Sequence, residues 1–474
     1  FLRPFPRPSR RHSFFIACWF VLTFVSLVGL IRTTEWEAAL SFLWHLLGTA
    51  CIVVTVGLLL RADPGGRRWL LAAICAGAVL TAVGGWQDTL GGGLERTLEY
   101  VEQMAVEQGR EVPPEVRDRL TQGRASAGFV YPNSYAAHLI LTVPLSLFLL
   151  WRAGHAFRPP RLSRVLFLGA GACLFAGGLY FSGSRAALLA LGAAGVVGAL
   201  FSPALRRWRL AIGIVCLLGL LVAVPLINRG RSLSSLEARL TYYTTGAEIF
   251  ARQPLTGVGL GEFFPFYIRL KPPAAEETRV PHNMLVLFFS QAGLAAGLAA
   301  STLLAGTAFL PVLWSRRRGS EGKKDPEYNQ QFLVFTIHVG LFAWSMHALL
   351  DFNFQIPGTV ATFAVLPLLL SASVDPIGSS QSADEWGSSW LARGLLGLAG
   401  LLAVAGIWRL PGERLYSQFS AAAASPAVDL VHLERMAAEV QDHLPFSPYP
   451  GLVLGKAAES RDRPPVRETR GYWD

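Results

Sequence analysis

Long apolar runs alternate with short polar intervals along this chain. The runs fall at about 14–31, 38–60, 69–86, 134–151, 165–182, 185–201, 210–227, 290–314, 331–350, 357–374 and 391–408. A helix crossing a bilayer needs roughly 20 mostly apolar residues, and these runs reach or approach that length. The pattern predicts an all-α, polytopic integral membrane protein with about eleven transmembrane helices.

The polar intervals sort by charge. With the N-terminal Arg3, Arg7, Arg10 and Arg11 placed inside, the other inside loops carry Arg61, Arg67 and Arg68; Arg152, Arg158, Arg161 and Arg164; Arg206, Arg207 and Arg209; Arg316 to Arg318 with Lys323 and Lys324; and Arg393. The short outside loops hold almost no basic residue, with Arg32 and Arg185 as exceptions. Short cytoplasmic loops carry the Lys and Arg excess, so every turn of the chain agrees with one orientation. Three segments outside the membrane are long. Residues 87–133 include LERTLEYVEQMAVEQ, where Leu94, Leu98, Val101 and Met104 or Ala105 recur at helical spacing. This is an amphipathic helix that either lies on the bilayer or packs on the protein. Residues 228–289 form the largest loop, on the non-cytoplasmic side. Residues 409–474 form a tail that reads as two short helices around a Pro-rich turn, like the start of a helix-pair, tetratricopeptide-like repeat cut short. A polar linker, DPIGSSQSADEWGSS, spans about 375–390. The domains expected are thus 1–408, membrane-embedded, and 409–474.

Composition sharpens this picture. Of the 474 residues, 52% are hydrophobic and 16% charged, a charge content below that of ordinary soluble proteins. The net charge of +10 does not indicate nucleic acid, because the basic residues lie in short loops between apolar runs. Cys18, Cys51, Cys75, Cys173 and Cys216 all sit inside apolar runs without paired spacing and read as small core residues. The sequence has neither a nucleotide-binding glycine motif nor metal-ligand spacing, so no metal or cofactor is expected. The chain opens at Phe1 rather than Met, and a segment preceding it is expected.

Four groups of residues carry candidate chemistry. In SGSRAALLAL, Arg185 stands at the outer end of one span and the start of the next. It is either an arginine snorkelling to the interface or a ligand for phosphate oxygens, which a guanidinium grips bidentately. In SLEARLTYYTTGAEIFARQPLTGVGLGEFF, Arg239 opens a helix that ends at Gln253–Pro254; it is a surface charge or a second ligand. In VPHNMLVLFFSQAG, His282 and Asn283 stand where the large loop becomes a helix. An imidazole is the usual general base near neutral pH, though a histidine at a helix start also serves purely structural ends. In SMHALLDFNFQIPGT, His347 and Asp351 are four apart and share a helix face, so the aspartate can orient the imidazole. Asn133, in GFVYPNSYAAHL, either caps its helix or points into the same cavity.

The ordered set RASAGFVYPNSYAAHL, SGSRAALLAL, RLTYYTTGAEIFARQPLTGVGLGEF, HNMLVLFFSQAGLAAG and HALLDFNFQIPG, over roughly 120–370, resembles the O-antigen ligase and O-antigen polymerase superfamily. The resemblance implies a GT-C-like, metal-independent membrane glycosyltransferase of the bacterial inner membrane. Such an enzyme takes a glycan from undecaprenyl pyrophosphate at the periplasmic face. Ligases pass it to lipid A–core in lipopolysaccharide biosynthesis, polymerases to another lipid-linked glycan, and related oligosaccharyltransferases to protein. By position, the resemblance makes Arg185 and Arg239 contacts for the donor pyrophosphate and His282 the group that activates the acceptor hydroxyl. Asn133, Asn283, His347 and Asp351 complete the substrate-binding set. The ligase pattern has a glycine eleven residues after the histidine, which Gly293 fits, and another three beyond, where Ala296 stands and Gly297 is one late. Ligase and polymerase therefore both remain open. The family has one more span than the eleven read here.

The rival class is a transporter or flippase. Transporters place ionisable groups near the midplane and often show inverted repeats; here the candidate groups gather at one face and the halves show no repeat. An inactive scaffold binding a protein partner through its tail is the third possibility. Orientation is testable directly. Single cysteines at Ser234 and Ser320, in a chain otherwise free of cysteine, are expected to label from opposite sides of the membrane. Labelling from the same side overturns the orientation.

Overall fold

The computed structural model describes residues 10–107, 120–201, 234–316, 326–374 and parts of 411–454, apart from isolated positions. Among these residues every regular element is helical. Among the described residues seven helices are long and apolar enough to cross a membrane: His12–Arg32, Trp36–Ala62, Gly66–Leu90, Pro132–Ala156, Pro160–Ser182, Met284–Phe309 and Gln330–Ala348. Arg185–Gly198 and Pro357–Ala372 are shorter apolar helices, and the runs at 210–227 and 391–408 lie outside the described residues. The protein is therefore a polytopic, all-helical membrane protein over its described part.

The helices are α1 (Arg10–Ser26, continued by a tighter 3-10 turn over Leu27–Arg32), α2 (Trp36–Ala62), α3 (Gly66–Leu90), α4 (Gly93–Glu107), α5 (Pro132–Ala153), α6 (Pro160–Ser182), α7 (Arg185–Phe201), α8 (Ser234–Arg252), α9 (Phe263–Leu270), α10 (Met284–Arg316), α11 (Pro326–Ala348), α12 (Pro357–Val374) and α13 (Leu430–His443). Helices α5 and α11 form the centre and pack on each other. On one side α1, α2, α10 and α12 build a core around Trp19, Trp344, Phe288 and Phe363. On the other, α3, α6 and α7 build a second core around Tyr135, Phe175 and Phe342. Apolar burial between helices is weakly rewarded when lipid is equally apolar, so close backbone approach carries the packing. At the α5–α11 contact a Cβ on Gly340 would strike the Leu141 carbonyl; only glycine permits that approach. Five hydroxyl side chains inside the bundle satisfy themselves locally. Thr23, Ser26, Thr142, Ser345 and Ser371 each donate to the carbonyl four residues back, which a medium without water requires.

The connections gather the candidate residues at one end of the bundle. There the turn after α1, the starts of α2, α5, α7, α10 and α12, and the ends of α3, α6 and α11 are tied together. Leu260 N–H donates to Gly29 O at 3.1 Å. The Glu262 carboxylate, 4% exposed, accepts from Thr34 Oγ1 and from the Thr34 and Glu35 amides at the head of α2, a place where the helix dipole favours an anion. Asp88 at the end of α3 accepts from the Ser126 and Ala127 amides. The opposite end is closed by His12 on Leu368 O and Arg67 on Ala372 O. The expected amphipathic helix is α4; Leu94 is buried and the helix packs on α3. In the tail, α13 forms its own small core with Phe419, Leu433 and Val440, joined by Val453 and Leu454; the rest of the expected second tail helix lies outside the described residues.

One backbone break anchors the large loop. Gly293, at φ 79° and ψ −169°, interrupts α10 and frees backbone groups that a continuous helix would pair. Segment 254–261 takes them up. Val258 N–H donates to Ser290 O at 2.9 Å, Gly259 N–H to Gln291 O at 3.1 Å, and Leu294 N–H to Pro254 O at 2.8 Å. The Gln291 side chain accepts from Gly261 N–H at 2.6 Å. A Cβ on Gly293 would collide with the Leu255 carbonyl. Gly293→Ala is therefore expected to lower stability by about 2 kcal/mol or more, from positive φ and lost packing space. Gly195→Ala in α7, where the added methyl meets nothing within 4 Å, is expected to be neutral or slightly stabilising. Thermal unfolding in detergent compares the two.

Candidate functional site

The site grows from three local structures. The first is α8, whose Arg239, Tyr242 and Tyr243 lie at i, i+3 and i+4 on one face, with α8 packed on α10. The second is the start of α10. Asn283 Oδ1 accepts from the Leu285 and Val286 amides at 2.8 and 3.1 Å, capping the helix. Asn283 Nδ2 donates to Leu349 O at 2.8 Å. Both ends of the Asn283 amide are thus spent inside the fold, holding His282 in place. The Tyr243 hydroxyl adds to this latch, bonding His282 O at 3.2 Å and Leu349 O at 2.9 Å. Burial pushes the Tyr243 pKa up against the pull of the nearby Arg239, so the hydroxyl keeps the proton it donates. The third is the turn after α11, which carries Asp351.

Asp351 has no exposed surface. Its Oδ2 accepts from Asn133 Nδ2 at 2.7 Å and lies 3.8 Å from Arg239 Nη2. Its Oδ1 accepts from the Phe352 amide at 2.8 Å and lies 3.4 Å from His282 Nδ1. That last pair is at ion-pair range but off the line of a good hydrogen bond. Burial is the largest single influence on this carboxyl and pushes its pKa up. Polar contact with His282 and the charges of His347, His282 and Arg239 together outweigh it and hold the pKa down at about 2. Asp351 is therefore a carboxylate at neutral pH.

His282 is held by two aromatic rings. Tyr242 stacks on the ring at 5.3 Å and 24°, and Phe352 meets it edge-on at 4.8 Å and 81°. Tyr131 in turn meets Phe352 at 5.0 Å. Nδ1 is turned to the buried carboxylate, and the side chain keeps 24% exposure. Arg239 keeps 20%. Both therefore reach a surface while leaning on an anion that does not.

Of the expected site residues, Asn133, Arg239, His282 and Asp351 meet directly. His347 does not bond Asp351. It is fully buried, its Nδ1 facing the Asn353 amide at 2.6 Å, so it has no surface from which to meet a substrate. Asn283 acts as cap and latch. Arg185 begins α7 half-buried, and among the described residues it makes no hydrogen bond or ion pair. Its guanidinium stands uncommitted at the same end of the bundle. Sequence reading passed over Arg124, Tyr242, Tyr243 and Phe352. Arg124 was visible in RASAGF, but nothing in its spacing reveals that its Nη2 bonds Asn133 Oδ1 at 2.9 Å. The tyrosine pair was visible in LTYYTTG, one turn after Arg239.

Residues 170–301 match a family model described as O-antigen ligase. That stretch holds Arg185, Arg239 and His282, whereas Arg124, Asn133 and Asp351 come from outside it. No curated protein matches the chain.

The depressed Asp351 pKa carries a pH signature. A carboxyl whose folded pKa lies below its unfolded value, 3.8, contributes stability that is present above that value and is lost as pH falls through about 2. Asp351→Asn is expected to lower stability at neutral pH on the order of 3 kcal/mol, since it leaves Arg239 and His282 without their anion. It should also flatten the acid decline between pH 4 and pH 2. Unfolding curves in detergent across that range measure both.

Proposed function

From the match of residues 170–301 to an O-antigen ligase family model, we propose that this chain belongs to the O-antigen ligase and polymerase superfamily and is a metal-independent membrane glycosyltransferase. It moves a glycan from undecaprenyl pyrophosphate to an acceptor hydroxyl. One observation carries this reading: Arg239 and His282, from separate elements, converge on the buried Asp351 carboxylate while each keeps an exposed edge. The loop charges support a site facing the periplasm from the bacterial inner membrane. The donor's polyprenyl tail remains in the lipid, and the acceptor is a lipid or a glycan.

In this reading Asp351 orients His282 through Nδ1, so that Nε2 takes the proton of the acceptor hydroxyl. The hydroxyl oxygen forms the new bond to the anomeric carbon. The old bond to the pyrophosphate oxygen breaks and its electron pair leaves with the phosphate. Arg185 and Arg239 stabilise that developing charge, which metal ions supply in other transferases. Direct attack inverts the anomeric carbon. Asn133 works through Asp351, and Asn283 through the placement of His282. Polymerase chemistry at the same site is the second reading and differs only in the acceptor. Ala296, standing where the ligase pattern has its second glycine, is the residue that favours it.

His282→Ala and Arg239→Ala are each expected to lower glycan transfer at least about 100-fold while the protein still inserts and folds. Arg185→Ala should lose transfer similarly. Arg185→Lys should recover only part, because an ammonium lacks the planar fork. Transfer is read in membranes supplied with an undecaprenyl-pyrophosphate-linked oligosaccharide. Full activity in both His282→Ala and Arg239→Ala overturns the assignment.

A further inference from the structure

A continuous line of polar contacts leaves the site and crosses to the turn that carries Arg185. From Asp351 it passes to Asn133, whose Nδ2 donates to Oδ2 at 2.7 Å. Asn133 Oδ1 accepts from Arg124 Nη2 at 2.9 Å. Arg124 Nε donates to Ser182 O at 2.8 Å. Ser182 closes α6 and is followed by Gly183 in a left-handed conformation, φ 60°, then Ser184 and Arg185. The backbone reinforces the same join, with Ala125 N–H on Phe181 O at 3.0 Å. Gly183 lies directly beneath the guanidinium; a Cβ there would come within 3.1 Å of Arg124 Nε.

We propose that Arg124 is a positioning residue: with Asn133 it forms a strut that fixes the Ser182–Arg185 turn against the Asp351–His282 pair. The chemistry suits that task. The guanidinium is planar and keeps its charge at any working pH, and two of its nitrogens point along different directions. One end grips a carbonyl that α6 leaves unpaired at its terminus. The other polarises an amide whose far end donates to a carboxylate. The order cation, amide, anion aligns every dipole in the line, and such aligned bonds strengthen one another. Arg124 is itself half-buried and spends these two nitrogens inside the fold. The strut therefore sets the spacing between the groups proposed to hold the leaving phosphate and the group proposed to receive the acceptor's proton. A small misplacement of reacting groups costs rate steeply.

The inference rests on the transferase reading for its consequence, but not for its geometry, and the test separates the two. Spin labels at Leu188→Cys in α7 and Leu240→Cys in α8, both exposed, report the spacing across the strut. The measurement uses the full chain in lipid nanodiscs with its native cysteines replaced. The parent is expected to give one narrow distance. Arg124→Met and Asn133→Ala should each broaden or shift it, and the double variant should add little, because either change cuts the same line. Arg124→Lys should restore part of the parent distribution. Should Arg124→Met fail to insert, Asn133→Ala tests the strut with Arg124 still on Ser182. An unchanged distance in Asn133→Ala and in any inserted Arg124→Met overturns the proposal. In transfer from the undecaprenyl-pyrophosphate-linked oligosaccharide, Arg124→Met should lower kcat about 10- to 100-fold with donor KM within about threefold of the parent. A raised KM at unchanged kcat would instead make Arg124 a donor ligand and overturn positioning. If the parent itself transfers nothing, the transferase reading fails while the distance measurement still decides the strut.

Discussion

The Asp351 carboxylate, ionised and without exposed surface, is the constraint from which the candidate site follows. Removing a charge from water costs several kcal/mol unless donors and opposite charge replace the water. Here the replacements arrive from separate parts of the chain: Asn133 from the start of α5, Arg239 from α8, His282 from the start of α10, and the local Phe352 amide. Each must be in place for the anion to be tolerated, so the requirement to satisfy one buried carboxylate also assembles the groups that face outward. The two cationic or protonatable partners lean on the anion while each keeps an exposed edge of its own. This leaves them oriented but not enclosed, the condition a general base and a phosphate ligand share.

Holding those partners still demands a rigid large loop above the bundle. The break at Gly293 provides the attachment, because the backbone groups it frees are filled by 254–261 rather than by water. Glu262 then ties the same loop to the start of α2, and Tyr243 and Asn283 tie its two ends to Leu349. A loop fastened at this many points presents its side chains in fixed geometry. Preorganised charges and donors lower a barrier more effectively than groups that must first be ordered. The membrane sets the terms of this arrangement. Buried backbone cannot be left unpaired, so an interrupted helix at such a place must bring its own partners.

The amino-acid sequence by itself determined the apolar spans, because a bilayer imposes a length and composition that any window can measure. The described helices fall on the expected runs, with α7 and α12 shorter than a full span. It also determined which end of the bundle holds the candidate residues: successive spans reverse direction, so Asn133, Arg185, His282 and Asp351 had to share an end wherever the chain between them went. The amphipathic α4 was legible for a similar local reason, since its apolar stripe repeats at helical spacing.

The partners within that end were decided only by the tertiary structure. His347 and Asp351 share a helical spacing and looked like a pair, but the chain leaves α11 between them. The turn carries Asp351 to Asn133 and His282 and leaves His347 with Asn353. Asn283 looked like a substrate ligand and is a cap, because its amide reaches Leu349, sixty-six residues away. Arg124 stood in plain view, yet its two partners lie nine and fifty-eight residues along the chain. Periodicity reads only neighbours on one element. A charge buried among four segments chooses its partners by which helices pack together, and that choice is written in no local pattern.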